Sequence, residues 1–235
     1  MCGRFVVARS GPELASVLRV DIEGDELPAP SFNVAPTARV AIVLDSAKTE
    51  PPTRRLEAAR WGLVPRWAKD VSLGARAFNA RAETVRVKPM FREALVSRRA
   101  VVPASGYYEW KTDGGLKTPF YIHPPDDAPM LFAGLYEWWK DPSKENVDPT
   151  RWLLSFTILT RGATGVLASI HDRMPLLLDP DSAQAWLDPA AQNVGDVLDA
   201  TVDAAPALVD ALAMHEVDRA VGDVRNDSPA LVAPL

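Results

Sequence analysis

Twenty-one prolines are scattered through the 235 residues, and they constrain the fold more than any other feature. Proline has no backbone N–H and is costly inside a helix or a central strand. A chain interrupted this often is built from many short elements joined by turns. No internal repeat and no low-complexity linker divides it, so a single domain over residues 1–235 is expected. With 47% hydrophobic residues, a chain of this length buries a sizeable core without disulfide or metal staples. No apolar run approaches a membrane span, and no signal-peptide stretch follows Met-Cys-Gly-Arg-Phe. The lone cysteine fits a reducing compartment, and a cytoplasmic protein is expected. One Cys and three His do not make a zinc site of the usual kind, so no metal and no cofactor are expected.

Local patterns place the elements. Residues 2–7 read as a short strand. Ser10 with Glu13 forms a capping box ahead of Leu14, Val17 and Leu18, which predicts a helix over 12–19. Strands are predicted at 38–44, 56–61, 100–102, 106–110, 119–122, 130–137 and 152–159, the last apolar enough to be central. Helices are predicted at 91–96, from Asp179-Pro180 to 187, and at 204–212. Strands and helices do not alternate regularly, which argues for an α+β domain with a curved, mostly antiparallel sheet and helices around it. The polar segment 141–149 is expected to be a variable surface loop, and the chain beyond about 227 an extended tail.

Charge is segregated. The net charge is −5, yet residues 54–99 hold twelve basic and four acidic side chains. From Asp179 onward there are eleven acids against Arg219 and Arg225. A basic middle inside an acidic protein points to an anionic partner at one face, or to ion pairs with the acidic tail.

Four places carry candidate chemistry. Cys2 follows the initiator methionine and is small, so loss of Met1 is expected. That leaves an α-amine beside a thiol. The amine has a pKa of about 7.7–8.0, so roughly a quarter is unprotonated near neutral pH, unlike lysine. It can attack an aldehyde, after which the thiol closes a five-membered thiazolidine. In Phe78-Asn79-Ala80-Arg81-Ala82-Glu83-Thr84, Asn79 is suited to orient a carbonyl or sugar hydroxyl, and Arg81 to fork a phosphate. In Gly106-Tyr107-Tyr108-Glu109-Trp110, strand alternation puts Glu109 on the face of Tyr107, where a carboxylate can act as acid or base. His171 lies among charged residues, with Asp172 or Arg173 to orient it as a proton shuttle. His123 and His215 read as surface residues. These residues alone leave three readings open: amine chemistry on an aldehyde, a Cys–His hydrolase acting on amides, and a non-covalent single-strand binder with a structural Cys2.

The ensemble resembles the SOS response-associated peptidase (SRAP) family, the abasic-site processing proteins. The matching blocks are Met-Cys-Gly-Arg-Phe, FNVAPT at 32–37, WGLVP at 61–65 with Trp67, FNARAET at 78–84, Pro103 with GYYEW at 106–110, AGLYE at 133–137, TILT at 157–160, HDRMP at 171–175 and VGDVRN at 221–226. The resemblance implies a single α+β domain with a bifurcated, barrel-like, mostly antiparallel sheet. It implies covalent cross-linking to abasic sites in single-stranded DNA, self-removal of Met1, and an AP-lyase-like side activity. It also implies Cys2, Asn79, Glu109 and His171 as catalytic residues, with Thr160 supporting His171.

Given that partner, Arg4, Arg76, Arg81 and Arg86 are expected on phosphates, Trp67 as a wedge or stacking platform, and Asn33 on the backbone. Trp152 and Trp186 are expected in the core. A monomer is expected, nucleoid-associated when on DNA.

Overall fold

The strand expected to be central is the hub of the molecule. In the computed structural model, which describes residues 2–126 and 128–235, the segment Trp152–Gly162 is one continuous strand, buried from Leu154 to Thr160. Both of its edges are paired, and that explains why apolar side chains lie on both of its faces.

The strands in chain order are β1 (Arg4–Val7), β2 (Ile22–Glu23), β3 (Ser31–Val34), β4 (Arg39–Ser46), β5 (Thr53–Trp61), β6 (Asn79–Arg81), β7 (Arg99–Ala104), β8 (Gly106–Asp113), β9 (Leu116–His123), β10 (Met130–Lys140), β11 (Trp152–Gly162), β12 (Arg173–Pro175), β13 (Leu177–Leu178) and β14 (Ala213–Glu216). The helices are α1 (Gly11–Val17), α2 (Arg92–Ser97), α3 (Pro180–Leu187) and α4 (Val194–Val209).

One sheet runs β11-β10-β7-β4-β5 and closes on itself, because β5 also pairs with β11, in parallel, through Ser155↔Arg60 and Phe156↔Trp61. Every other contact around this five-stranded barrel is antiparallel. Past the closure β11 continues and takes β6 on one edge and β12 on the other. A second sheet, in the order β14-β9-β8-β1-β3, leans on the barrel. This is the expected α+β, barrel-like, bifurcated sheet.

Aromatic packing joins the two sheets. Phe5 of β1 is fully buried, with its ring edge-on to Trp61 at 4.9 Å and to Phe132 at 6.1 Å. Trp61 stacks on Phe156, and its Nε1 donates to the Phe78 carbonyl at 2.8 Å. Burying rings of this size dominates the core energetics. The cluster fixes where β1, and hence Cys2 three residues before Phe5, meets the barrel.

Several expectations change on inspection of the helices and termini. α1 carries its capping box: Glu13 accepts the Ser10 N–H at 2.7 Å and the Ser10 hydroxyl at 2.6 Å. α4 begins ten residues before the predicted start at 204, and it runs through Pro206. The missing N–H of Pro206 frees the Val202 carbonyl, and the Arg161 guanidinium donates to that carbonyl instead. The end of the chain is not an extended tail. Residues Pro229–Val232 form a 3-10 turn that buries Leu231 against Val6, Tyr108, Tyr121, Val217 and Val221. Trp186 is fully buried as expected, but Trp152 is 46% exposed, because it opens β11 beyond the barrel. His123 and His215 are half-buried, gathered around Tyr121.

Candidate active site and nucleic-acid interface

Cys2 lies at the junction of the two sheets. β1 pairs antiparallel with β8 through Arg4↔Tyr108 and Phe5↔Tyr107. Extending that register by one residue sets Glu109 opposite Gly3, next to Cys2. The electrostatics agree. Burial pushes the Cys2 thiol well above its ordinary range, and the charge of Glu109 adds to the shift. Tyr107 is pushed up by burial and then by Cys2 and Glu109. The strand alternation therefore holds: Tyr107 and Glu109 face Cys2, while Tyr108 turns away and donates its hydroxyl to the Phe32 carbonyl at 2.8 Å. Glu109 is 5% exposed. The expected loss of Met1 lies outside the described residues.

Asn79 opens β6, which lies against β11 through Ile158↔Asn79 and Thr160↔Arg81. Its Nδ2 donates to the Cys2 carbonyl at 2.8 Å. Its Oδ1 is buried and accepts no hydrogen bond among the described residues. A buried amide oxygen without a donor is costly.

His171 lies two residues before β12, which pairs with the opposite edge of β11. Its Nδ1 lies 2.9 Å from the Arg173 backbone N–H and 2.7 Å from an Asp172 carboxylate oxygen. A neutral ring accepts from the former, and a protonated ring donates to the latter. Both expected orienting residues are thus in place, one for each protonation state. Thr160 is fully buried between β6 and β12, and its hydroxyl lies 3.4 Å from the Ala80 carbonyl.

The side chains of Glu83 and Arg173, to which the sequence assigned no binding role, tie these strands together. Arg173 forks onto both Glu83 carboxylate oxygens at 2.7 and 2.9 Å and donates to the Thr160 carbonyl at 2.8 Å and its hydroxyl at 3.2 Å. The bond to Arg173 holds the Glu83 carboxyl below its usual range. The signal was present, since one residue sits in FNARAET and the other in HDRMP, but only the fold pairs them.

The expected DNA contacts divide. Arg76 and Arg81 are exposed and have no ion pair among the described residues. Trp67 is 58% exposed. Arg86 is tied to α4, at 2.6 Å from both the Gly195 carbonyl and Asp199. Arg4 donates to the Asn33 side chain at 2.8 Å and to the Val221 carbonyl at 2.7 Å. Asn33, expected on the DNA backbone, is buried in this fold. It is 5% exposed, and its Nδ2 is used on the carbonyls of Val221, Asp223 and Asn226. It clamps the 221–226 loop and has no donor left for a DNA backbone. The basic segment also spends residues internally: Arg99 is buried, donating to Leu95 and Val96 at the end of α2 and to Trp186 and Asp188 at the end of α3.

The family model for SOS response associated peptidase (SRAP) matches residues 1–224. The abasic site processing protein YoqW of Bacillus subtilis is 35% identical over 236 residues, covering 99% of each chain. YedK of Escherichia coli, with the same description, is 33% identical over 241 residues and covers all of both chains. A crystal structure of a protein from Bacteroides thetaiotaomicron superposes with a TM-score of 0.80 over the whole of both chains at 21% identity, a likeness of fold. The chain belongs to the SOS response associated peptidase (SRAP) family.

Proposed function

We propose that the chain, once Met1 is removed, captures abasic sites in single-stranded DNA by forming a covalent link through Cys2. The supporting observation is the position of Cys2, whose carbonyl is held by Asn79 and whose thiol feels Glu109. The relatives described as abasic site processing proteins support the same substrate.

The Cys2 α-amine attacks C1′ of the ring-opened sugar, and water leaves to give a Schiff base. Glu109 assists proton transfer to the departing oxygen, and Asn79 holds the opened sugar. The thiol then adds across the C=N bond: sulfur bonds to C1′ and its hydrogen passes to nitrogen, closing the thiazolidine. His171, supported by Thr160, moves protons on the sugar during ring opening or reversal. The imine also permits β-elimination, an AP-lyase-like side path that ring closure suppresses. Arg76, Arg81 and Trp67 supply phosphate and stacking contacts, with Arg4 and Arg86 at the margins. Removal of Met1 is an autoprocessing step at the same site. The protein acts as a cytoplasmic monomer, nucleoid-associated when on DNA.

Cys2→Ala tests the proposal: covalent capture of an abasic oligonucleotide should vanish, and an undiminished cross-link would refute it. An amide hydrolase would instead accumulate a thiol-dependent acyl-enzyme, and a non-covalent binder would be indifferent to the change.

A further inference from the structure

A second charged cluster lies away from Cys2, beneath the segment 62–70. Glu137 of β10 is 4% exposed. Its carboxylate meets two arginines: Oε2 lies 3.0 Å from Arg98, and Oε1 lies 3.2 Å from Nε of Arg66. Oε1 also accepts the Trp138 N–H at 3.0 Å. Burial raises the pKa of Glu137, and Arg98 and then Arg66 pull it back.

The two arginines differ. Arg98 is only 15% exposed and neutralises Glu137 inside the protein. The Arg66 side chain is 62% exposed, and a second, solvated partner on a carboxylate already neutralised adds little stability. It does fix a direction. Glu137 occupies the Nε edge of the Arg66 guanidinium, which leaves the other edge of that planar fork to an anion.

The next residue is Trp67, with its indole exposed. The segment carrying both is pinned on either side. The Val64 N–H donates to the Ser155 hydroxyl at 2.9 Å, and Trp139 Nε1 donates to the Ala68 carbonyl at 2.8 Å. Glu137 sits between these anchors: Ser155 is its cross-strand partner, and Trp139 is two residues along on the same face. A rigid loop that presents a flat aromatic beside an aimed guanidinium suits one nucleotide of a single strand, base on ring and phosphate on fork.

We infer that Arg66 is a phosphate-binding residue for single-stranded DNA, that the buried Glu137 is the positioning residue that aims it, and that with Trp67 they form a nucleotide subsite. The inference rests on the single-strand reading above and adds to it a contact beyond Arg76 and Arg81.

Binding of the full-length protein to an undamaged single-stranded oligonucleotide, measured across a salt series, tests this. Arg66→Gln should weaken binding at low salt about tenfold and lower the log–log salt slope by about 0.7, one phosphate contact. Arg66→Lys should keep the slope but lose part of the affinity, because the charge remains and the fork does not. Glu137→Gln should weaken binding about threefold alone and add nothing in the Arg66→Gln background. Unchanged affinity and slope in Arg66→Gln would overturn the subsite. An equal Glu137→Gln penalty in both backgrounds would overturn the positioning role. If Glu137→Gln does not fold, the two Arg66 variants decide. Cross-linking of the unaltered protein to an abasic oligonucleotide, read in parallel, separates the claims: its absence would overturn the covalent capture and leave the salt slopes to judge Arg66.

Discussion

Residue by residue, the site depends on what burial does to ordinary groups. Burial raises the Cys2 thiol above its ordinary range, and in the proposed reaction nitrogen is the first nucleophile and sulfur the second. Cys2→Ser removes the second step only. The expected product is an imine that borohydride traps and that hydrolyses when left untrapped; a stable adduct from this variant would contradict the ring. Asn79→Ala removes the donor to the Cys2 carbonyl and the vacant acceptor, and it should slow capture about tenfold or more in single-turnover assays. Glu83 gives a pH test. Its carboxyl is held below the ordinary 4.5 by Arg173, so the pair stabilises the fold above pH 4.5 and the gain is lost as pH falls through the lowered value. Glu83→Gln should therefore cost about 0.5–1 kcal/mol near neutrality, discounted for the partly exposed carboxylate, and nothing in acid, as read from thermal melts.

Among the elements, those that carry their own signal were legible and those defined by a distant partner were not. β11 shows as a long apolar run because both its edges and both faces are covered. α1 announces itself by its cap. β6 and β12 have three residues each and exist only because β11 extends past the barrel, so nothing local marks them. α4 extends ten residues ahead of the expected start at 204 and through Pro206, where Arg161 from another element donates to the carbonyl that the proline leaves free. Arg161→Gln should accordingly destabilise the protein by about 1–3 kcal/mol, with the loss of amide-exchange protection concentrated in α4. Gly62 was legible as part of WGLVP but not in its reason. It has φ +124, and an added Cβ would lie 2.5 Å from the Gly74 carbonyl, so the glycine lets two backbones meet beneath the Trp67 loop. Gly62→Ala should cost about 1–3 kcal/mol in chemical denaturation and weaken single-strand binding together.

For the molecule as a whole, the barrel and the second sheet form a frame that delivers Cys2 to a fixed point. Phe5 is wedged among Trp61, Phe132 and Tyr107, and Cys2 follows from that anchor. The four candidate positions were legible as residue types in short motifs. The meeting of Cys2, Asn79 and Glu109 was not, because it requires β1 to pair with β8 and β6 with β11, between segments far apart in sequence. The charge segregation divided in the same way. Arg54 pairs with Asp45 and Gln184, Arg86 with Asp199 and Arg98 with Glu137, while Arg76 and Arg81 stay exposed. Sequence counts bases, and only the fold decides which of them reach solvent. The most direct measurement is the intact mass of the purified chain before and after incubation with a single-stranded oligonucleotide containing one abasic site. The predicted result is a chain lacking Met1 that gains the oligonucleotide less one water, in an adduct that borohydride does not change. A chain that retains Met1, or that gains no oligonucleotide mass, would contradict the account.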